Sequence, residues 1–201
     1  MPAPCLLPRF ARDHRAVAAV EFALLLPVMM VMYLGVAEVA RAVANSRKVA
    51  QLARTLADLT SRGSVTAASM DDIIAAKTPV LAPFDAAGAR IVVSSIGVYG
   101  SGSSVTAKVC SSKASGSGAT ALARNAPASV PAGYETAGLR FIRADVAMDY
   151  TPILGTNILK WFTNWPSITF SEQVAWPVRS GTKYNSTYDE IVMPSGTACP
   201  A

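Results

Sequence analysis

Apolar positions are packed most densely near the start of the chain. Ala16 to Ala37 holds 22 residues with one charge, Glu21, and Phe22 to Ala37 is uncharged for 16 residues in a row. A helix needs about 20 such residues to cross the hydrocarbon of a bilayer. Ten Leu, Phe or Val residues between Val17 and Ala37 favour insertion by roughly 3 to 6 kcal/mol. A carboxylate near the end of the run opposes it by ~3 kcal/mol at most, so insertion wins. The pattern predicts a transmembrane helix over 17–37. Pro27 lies inside it and removes a backbone donor, so a kink is expected there.

Past Glu38 the apolar positions thin to a stripe. Ala42, Asn45, Val49, Leu52, Leu56 and Leu59 recur at alternating spacings of three and four, the seam of an amphipathic or coiled-coil helix. Arg41, Arg47, Lys48, Gln51, Arg54 and Asp58 fall off that seam. No Pro or Gly interrupts before Gly63, which is expected as the C-cap just past Arg62. The pattern therefore predicts one helix from Val17 to Arg62, ~69 Å long at ~1.5 Å per residue. Residues 17–37 would lie in lipid and 38–62 would form a stalk, whose seam serves either the chain's own domain or contacts between subunits.

Beyond residue 63 the period shifts from helical to alternating. A short helix is expected over Met70–Ala76, with Ser69 as N-cap and Asp72 three residues later. Arg90–Tyr99 and Val105–Cys110 are rich in β-branched residues and separated by Gly and Ser, which reads as two strands and a turn. Ser111–Ala121 is a Ser/Gly/Ala stretch expected to be a loop. Leu139–Tyr150 and Ile168–Val178 read as longer strands, with Pro177 marking an edge or terminus. Between them, Pro152–Pro166 carries Leu159, Trp161, Phe162 and Trp165, expected as a short helix or turn covering the sheet. The predicted class is α+β: a long N-terminal transmembrane and stalk helix followed by a small antiparallel β-sheet domain. The expected divisions are a basic leader (1–16), the span (17–37), the stalk (38–62) and an α+β domain (63–201), which the resemblance described below would place outside the cytoplasm.

Charge and composition narrow the chemistry. The chain has 201 residues, 18 Lys+Arg, 13 Asp+Glu, one His and three Cys; its mean hydropathy of +0.33 and pI near 9.3 trace to its first third. Residues 1–62 carry eight Lys+Arg and four acids, against ten and nine in the remainder. The basic balance thus belongs to the membrane segment and gives no case for a nucleic-acid partner. Arg9, Arg12 and Arg15 before the span nearly balance Arg41, Arg47 and Lys48 after it, so the positive-inside count leaves orientation open. The sole His, His14, precedes the span, which removes a Ser–His–Asp arrangement. No zinc-ligand spacing or phosphate-cradling Gly loop is present. Asp145 and Asp149 share a strand face but read as solvated charges. Catalytic residues, cofactors, metals and small-molecule substrates are therefore not expected. Cys110 and Cys199 would pair if the domain lies outside the cytoplasm, adding about 4 to 5 kcal/mol through loop closure; unpaired thiols are the alternative.

Glu21 is the informative polar residue, because an acid within an apolar span usually has a partner. A cut between Ala16 and Val17 would leave it fifth in the mature chain. The new amine of one subunit could then pair with Glu21 of its neighbour in the lipid, setting the axial stagger of packed helices. The alternative is that Glu21 reaches back to the interface.

A short basic leader, the run AVAAVEFALLLPVMM, a helical stalk and a β-rich tail together resemble the TadE/TadG-like pseudopilins of the tight-adherence type IV pilus system. VEFALLLP is the most specific part; DLTSRG after the stalk and VAMDYTPIL extend the likeness more weakly. The resemblance implies a non-enzymatic, single-pass inner-membrane protein with a cytoplasmic N-terminus and a periplasmic domain. It further implies partners among pilins, pseudopilins and pilus assembly proteins, and a prepilin peptidase cutting before Val17. Ala16 stands where such sites usually have Gly. Two other readings remain: Ala40-Arg41-Ala42 has the form of a signal-peptidase site, giving a secreted product from Val43, and the chain could be a secreted or membrane-anchored binding module or enzyme.

Overall fold

The stalk seam decides how the chain is built, because a helix with one apolar stripe needs a surface to cover it. In the computed structural model, which describes residues 14–101, 104–152 and 167–200, that surface is the chain's own β-sheet. Helix α1 runs His14–Thr60 without a break and continues through Pro27. Val49, Leu52, Ala53, Leu56 and Ala57 are buried against Ile91, Val93, Ile142, Ala144, Val146 and Met148. The buried set includes pairs of adjacent residues, so the stripe is broader than a coiled-coil seam and follows the 3.6-residue period of a helix on a sheet. Of the two uses foreseen for the seam, this stretch serves the first.

The described residues fall into two compact units: the first part of α1, through Ala42, and a unit beginning at Val43 that contains the rest of the helix and the sheet. In the first, the large apolar side chains are exposed from Val17 to Tyr33, while Leu34 is half-buried and Glu38 buried; this is the one described helix long and apolar enough to cross a membrane.

In the second unit, α1 ends at Thr60, two residues before the expected stop. The Ser61 N–H donates to the Ala57 and Asp58 carbonyls, and Gly63 is not among the left-handed glycines, so it is no C-cap. Helix α2 spans Ala67–Ala75. Its cap is Thr66 rather than Ser69: the Thr66 hydroxyl accepts the Ser69 N–H, and the Ser69 hydroxyl accepts the Thr66 N–H. Ser69 is the reciprocal partner of a capping box. A five-residue helix, α3 (Lys77–Leu81), follows; Pro79 sits in its first turn, where a missing N–H costs nothing.

Five strands form one antiparallel sheet in the order β3-β2-β1-β4-β5. They are β1 (Ala89–Ser101), β2 (Ser104–Ser115), β3 (Pro127–Ala128), β4 (Arg140–Tyr150) and β5 (Ile168–Pro177). The α+β architecture read from the sequence is the one observed. Strand β5 pairs only with β4, so Pro177 does end an edge strand. Strand β2 is longer than expected and takes in Ser111–Ser115 from the stretch read as a loop. Leu159, Trp161, Phe162 and Trp165 lie outside the described residues.

Both sheet faces are covered, by different parts of the chain. Alternation places Ile91 and Val93 under α1, and Ile96 and Val98 on the opposite face. There they pack with Phe141, Ala107 and Val109 beneath Leu122, Val130 and Tyr134. Residues 178–200 form a strap. The Arg179 and Ser180 N–H groups donate to the Ser61 carbonyl, Thr182 bridges Glu190, and the Met193 N–H donates to the Ser111 hydroxyl. Ile191 and Met193 are buried in the core beneath α1.

The register between β1 and β2 shifts by one position at Ser95. Ser95 pairs with Ser111 and Ile96 with Val109, which leaves Cys110 as an extra residue on β2. This is a β-bulge, and it turns a side chain that regular alternation would send to the other face.

Candidate functional site

Two regions hold the candidate residues. The first is the start of α1. Val17 and Glu21 are four residues apart, so their side chains lie on the same helix face one turn apart, and both are exposed. Ala16 is in the helix, but its side chain lies outside the described residues. An exposed helix with one acid among apolar side chains has no use for that surface in water. The chemistry available here is association: burial in lipid, packing against other helices, and pairing of one carboxylate with a cation.

The second region is the end of the strap, where Cys110 and Cys199 are joined in a disulfide with Cα atoms 4.7 Å apart. The bulge places Cys110 on the face where the tail lies, and the Tyr99 hydroxyl sits 3.5 Å from its sulfur. Gly97 permits this crowding, since a Cβ there would stand 2.7 Å from the Tyr99 hydroxyl and 2.9 Å from Arg140 Nη1.

Four side chains hold the backbone of the tail around this bond. Arg124 Nη2 donates to the Ala198 carbonyl at 2.8 Å, Asn185 Nδ2 to the Cys199 carbonyl at 2.7 Å, and Arg140 Nη2 to the Pro200 carbonyl at 3.2 Å. Glu190 Oε1 accepts the Cys199 N–H at 2.6 Å. The side chains of Arg140 and Glu190 are each 1% exposed, with Nε and Oε2 3.8 Å apart. That separation makes an ion pair without a hydrogen bond. Burial pushes the Glu190 carboxyl above its usual range, against the opposing pull of the Cys199 N–H, Arg140 and Arg124. Glu190, Cys110 and Cys199 present their ligand atoms within 4.8 Å of one another, but with both sulfurs in the disulfide the cluster offers a cation no thiolate. None of Arg124, Arg140, Asn185 or Glu190 was singled out from the sequence. Arg124 and Arg140 reach the tail from 74 and 60 positions away, and Asn185 and Glu190 from 14 and 9 within the strap; no local pattern signals such contacts.

The strand carboxylates are occupied structurally. Arg90 donates to both oxygens of Asp149 at 2.7 and 3.0 Å, and Thr169 donates to it at 2.6 Å. Those bonds hold the Asp149 carboxyl well below the ordinary carboxylate range, the Arg90 bond first. Asp145 accepts from Arg143 at 3.1 Å and from Gln173 at 2.6 Å. Both carboxylates are thus engaged by side chains of the sheet itself.

No curated protein and no solved structure matches the chain. The family model described as TadE-like protein matches residues 16–58. The matched segment begins at the residue before Val17 and ends just short of the helix C-terminus, taking in the exposed apolar run and nearly all of the stalk. TadE-like proteins are pilus components and not a known enzyme family, and one apolar helix of this length fits a single-pass membrane anchor. Over residues 16–58, then, the chain is similar to TadE-like proteins, a likeness that fits a pilus assembly protein associated with the membrane.

Proposed function

We propose that the protein is a non-enzymatic, membrane-anchored, pseudopilin-like component for assembly of a tight-adherence (Flp-type) pilus. Its apolar helix packs laterally with pilins or pseudopilins in the bacterial inner membrane, with the N-terminus cytoplasmic and the β domain periplasmic. A prepilin-type peptidase cuts between Ala16 and Val17, and the amine so released pairs with Glu21 of a neighbouring subunit. The observation that carries this reading is that the TadE-like segment takes in the apolar stretch Val17–Tyr33, whose large side chains are exposed. A disulfide also suits an extracytoplasmic compartment.

The test is Glu21→Ala in the native host, scored for membrane insertion and piliation, together with the mass of the mature N-terminus. Normal insertion, lost pili and a chain beginning at Val17 are the expected results. Full piliation in the variant would remove the pairing role, and a soluble product starting at Val43 would remove the anchor.

A further inference from the structure

Three side chains of ligand type meet at the end of the strap. Cys110 comes from the bulge of β2, and Glu190 and Cys199 from residues 178–200; both sulfurs and a Glu190 carboxylate oxygen lie within 4.8 Å of one another. All three residues are buried. Glu190 Oε1 accepts the Cys199 N–H at 2.6 Å, whereas Oε2 is buried with no hydrogen-bond partner among the described residues. An ionised oxygen kept from water without a donor is costly, and a metal ion beside it would offset that cost. Two independent features, the paired sulfurs and the unused carboxylate oxygen, therefore converge on one buried spot.

Oxidised, the sulfurs are bonded to each other and bind no cation. Reduced, they supply two thiolates, ligands that select a borderline-soft ion such as Zn2+. Charge favours a divalent ion as well. Two thiolates and the Glu190 carboxylate carry three negative charges, and Arg140, 3.8 Å from Oε2, carries one positive charge. One Zn2+ makes the group neutral, which is the condition under which burial is tolerable. Arg124, which holds the Ala198 carbonyl, is exposed to solvent and its charge is screened. Thiolates on Zn2+ stand ~3.8 Å apart. That separation is open to Cys199, whose backbone is held by the side chains of Asn185 and Glu190 rather than by a strand ladder. The Tyr99 hydroxyl, 3.5 Å from the Cys110 sulfur, offers a polar group to a water in the fourth position.

We propose that, in the reduced protein, Cys110, Cys199 and Glu190 hold a Zn2+ ion that fastens the strap in place of the disulfide. Binding releases the protons of the two thiols to solvent, forms two Zn–S bonds and one Zn–O bond, and moves no electrons. The ion and the disulfide exclude each other, because oxidation consumes both thiolates. A chain that has not met an oxidant, or has met a reductant, therefore keeps Ile191 and Met193 of the strap in the core. The site lies wholly within the unit that contains the sheet, and it depends neither on the anchor nor on the pilus reading.

The experiment uses the full chain carrying Cys5→Ser, which leaves Cys110 and Cys199 as its cysteines. The protein in detergent is reduced with a phosphine, freed of reductant under argon and titrated with Zn2+ in competition with a chromophoric chelator. One ion per reduced chain is expected, with release of two protons and a rise in the unfolding midpoint. The oxidised chain and Cys110→Ser/Cys199→Ser should take up none. Glu190→Gln retains both thiols and should bind more weakly by about tenfold or more; cooperative unfolding of its oxidised form shows that this variant is folded. Equal Zn2+ uptake by the reduced chain and the double variant, uptake by the oxidised chain, or an unchanged affinity in Glu190→Gln would each overturn the site.

Discussion

Glu190 reaches the backbone N–H of Cys199 at 2.6 Å while facing Arg140 across 3.8 Å, with both side chains almost wholly out of water. A charge held there is tolerable only because it is paired. Arg140→Met should therefore lose about 3 to 5 kcal/mol by leaving Glu190 buried and uncompensated. Arg140→Met/Glu190→Gln should recover a large part of that. Urea unfolding of the four forms in detergent would check the cycle; additive losses would mean the two residues are not coupled.

The disulfide closes the strap covalently across 89 positions. In the loop-entropy account, breaking it costs about 4 to 5 kcal/mol. Cys110→Ser and Cys199→Ser should lower the unfolding midpoint alike, and the double variant should fall no further. Alkylation of the mature protein, begun at Val17, should add no label before reduction and two afterwards; two labels without reduction would show that the bond is absent.

Acid should act through Asp149 and Glu190 in opposite directions. Asp149 is held below its unfolded value by Arg90 and Thr169. Its contribution is present above the unfolded Asp value, about 3.9, and is lost as pH falls below it. Glu190 is raised by burial. Its contribution is whole below the unfolded Glu value, about 4.3, and declines as pH rises through the folded one. Asp149→Asn should flatten the loss of stability below about pH 4, whereas Glu190→Gln should remove a decline at higher pH. Melting curves across pH 2.5 to 7 (spanning both groups' windows) would register either change.

The stalk seam offers a contrast between two buried positions. Leu52 fills the core under the sheet, and Leu52→Ala should cost about 2 to 5 kcal/mol. Asn45 is equally buried, yet among the described residues neither of its amide atoms has a hydrogen-bond partner. Replacing an unsatisfied amide with an apolar side chain of similar size removes a desolvation cost, so Asn45→Leu should be neutral or raise stability by about 1 kcal/mol. A loss of several kcal/mol there would mean that the amide is satisfied in the folded protein.

The helix and the strands were legible because each carries its signal within a dozen residues. Phe22–Ala37 has a composition only lipid or other helices can cover, and Leu139–Tyr150 alternates as a half-covered strand must. Ser111–Ser115 was not legible, since Ser and Ala have weak strand preference and only pairing with Ile91–Ser95 holds them in the sheet. Thr66 and Ser69 both have a capping hydroxyl, and the backbone angle that separates cap from partner is not written in their identity. At the candidate site, Val17 and Glu21 stood out as exceptions within a uniform run. Arg140 and Glu190 look like ordinary surface residues in the sequence, and their burial follows from the return of a tail across the whole domain.

The bulge at Cys110 gives the covalent bond a second meaning. Had β2 slipped by one position against β1, the sulfur would face away from the tail and no oxidant could join it to Cys199. Formation of the bond thus depends on the alignment of β2 against β1.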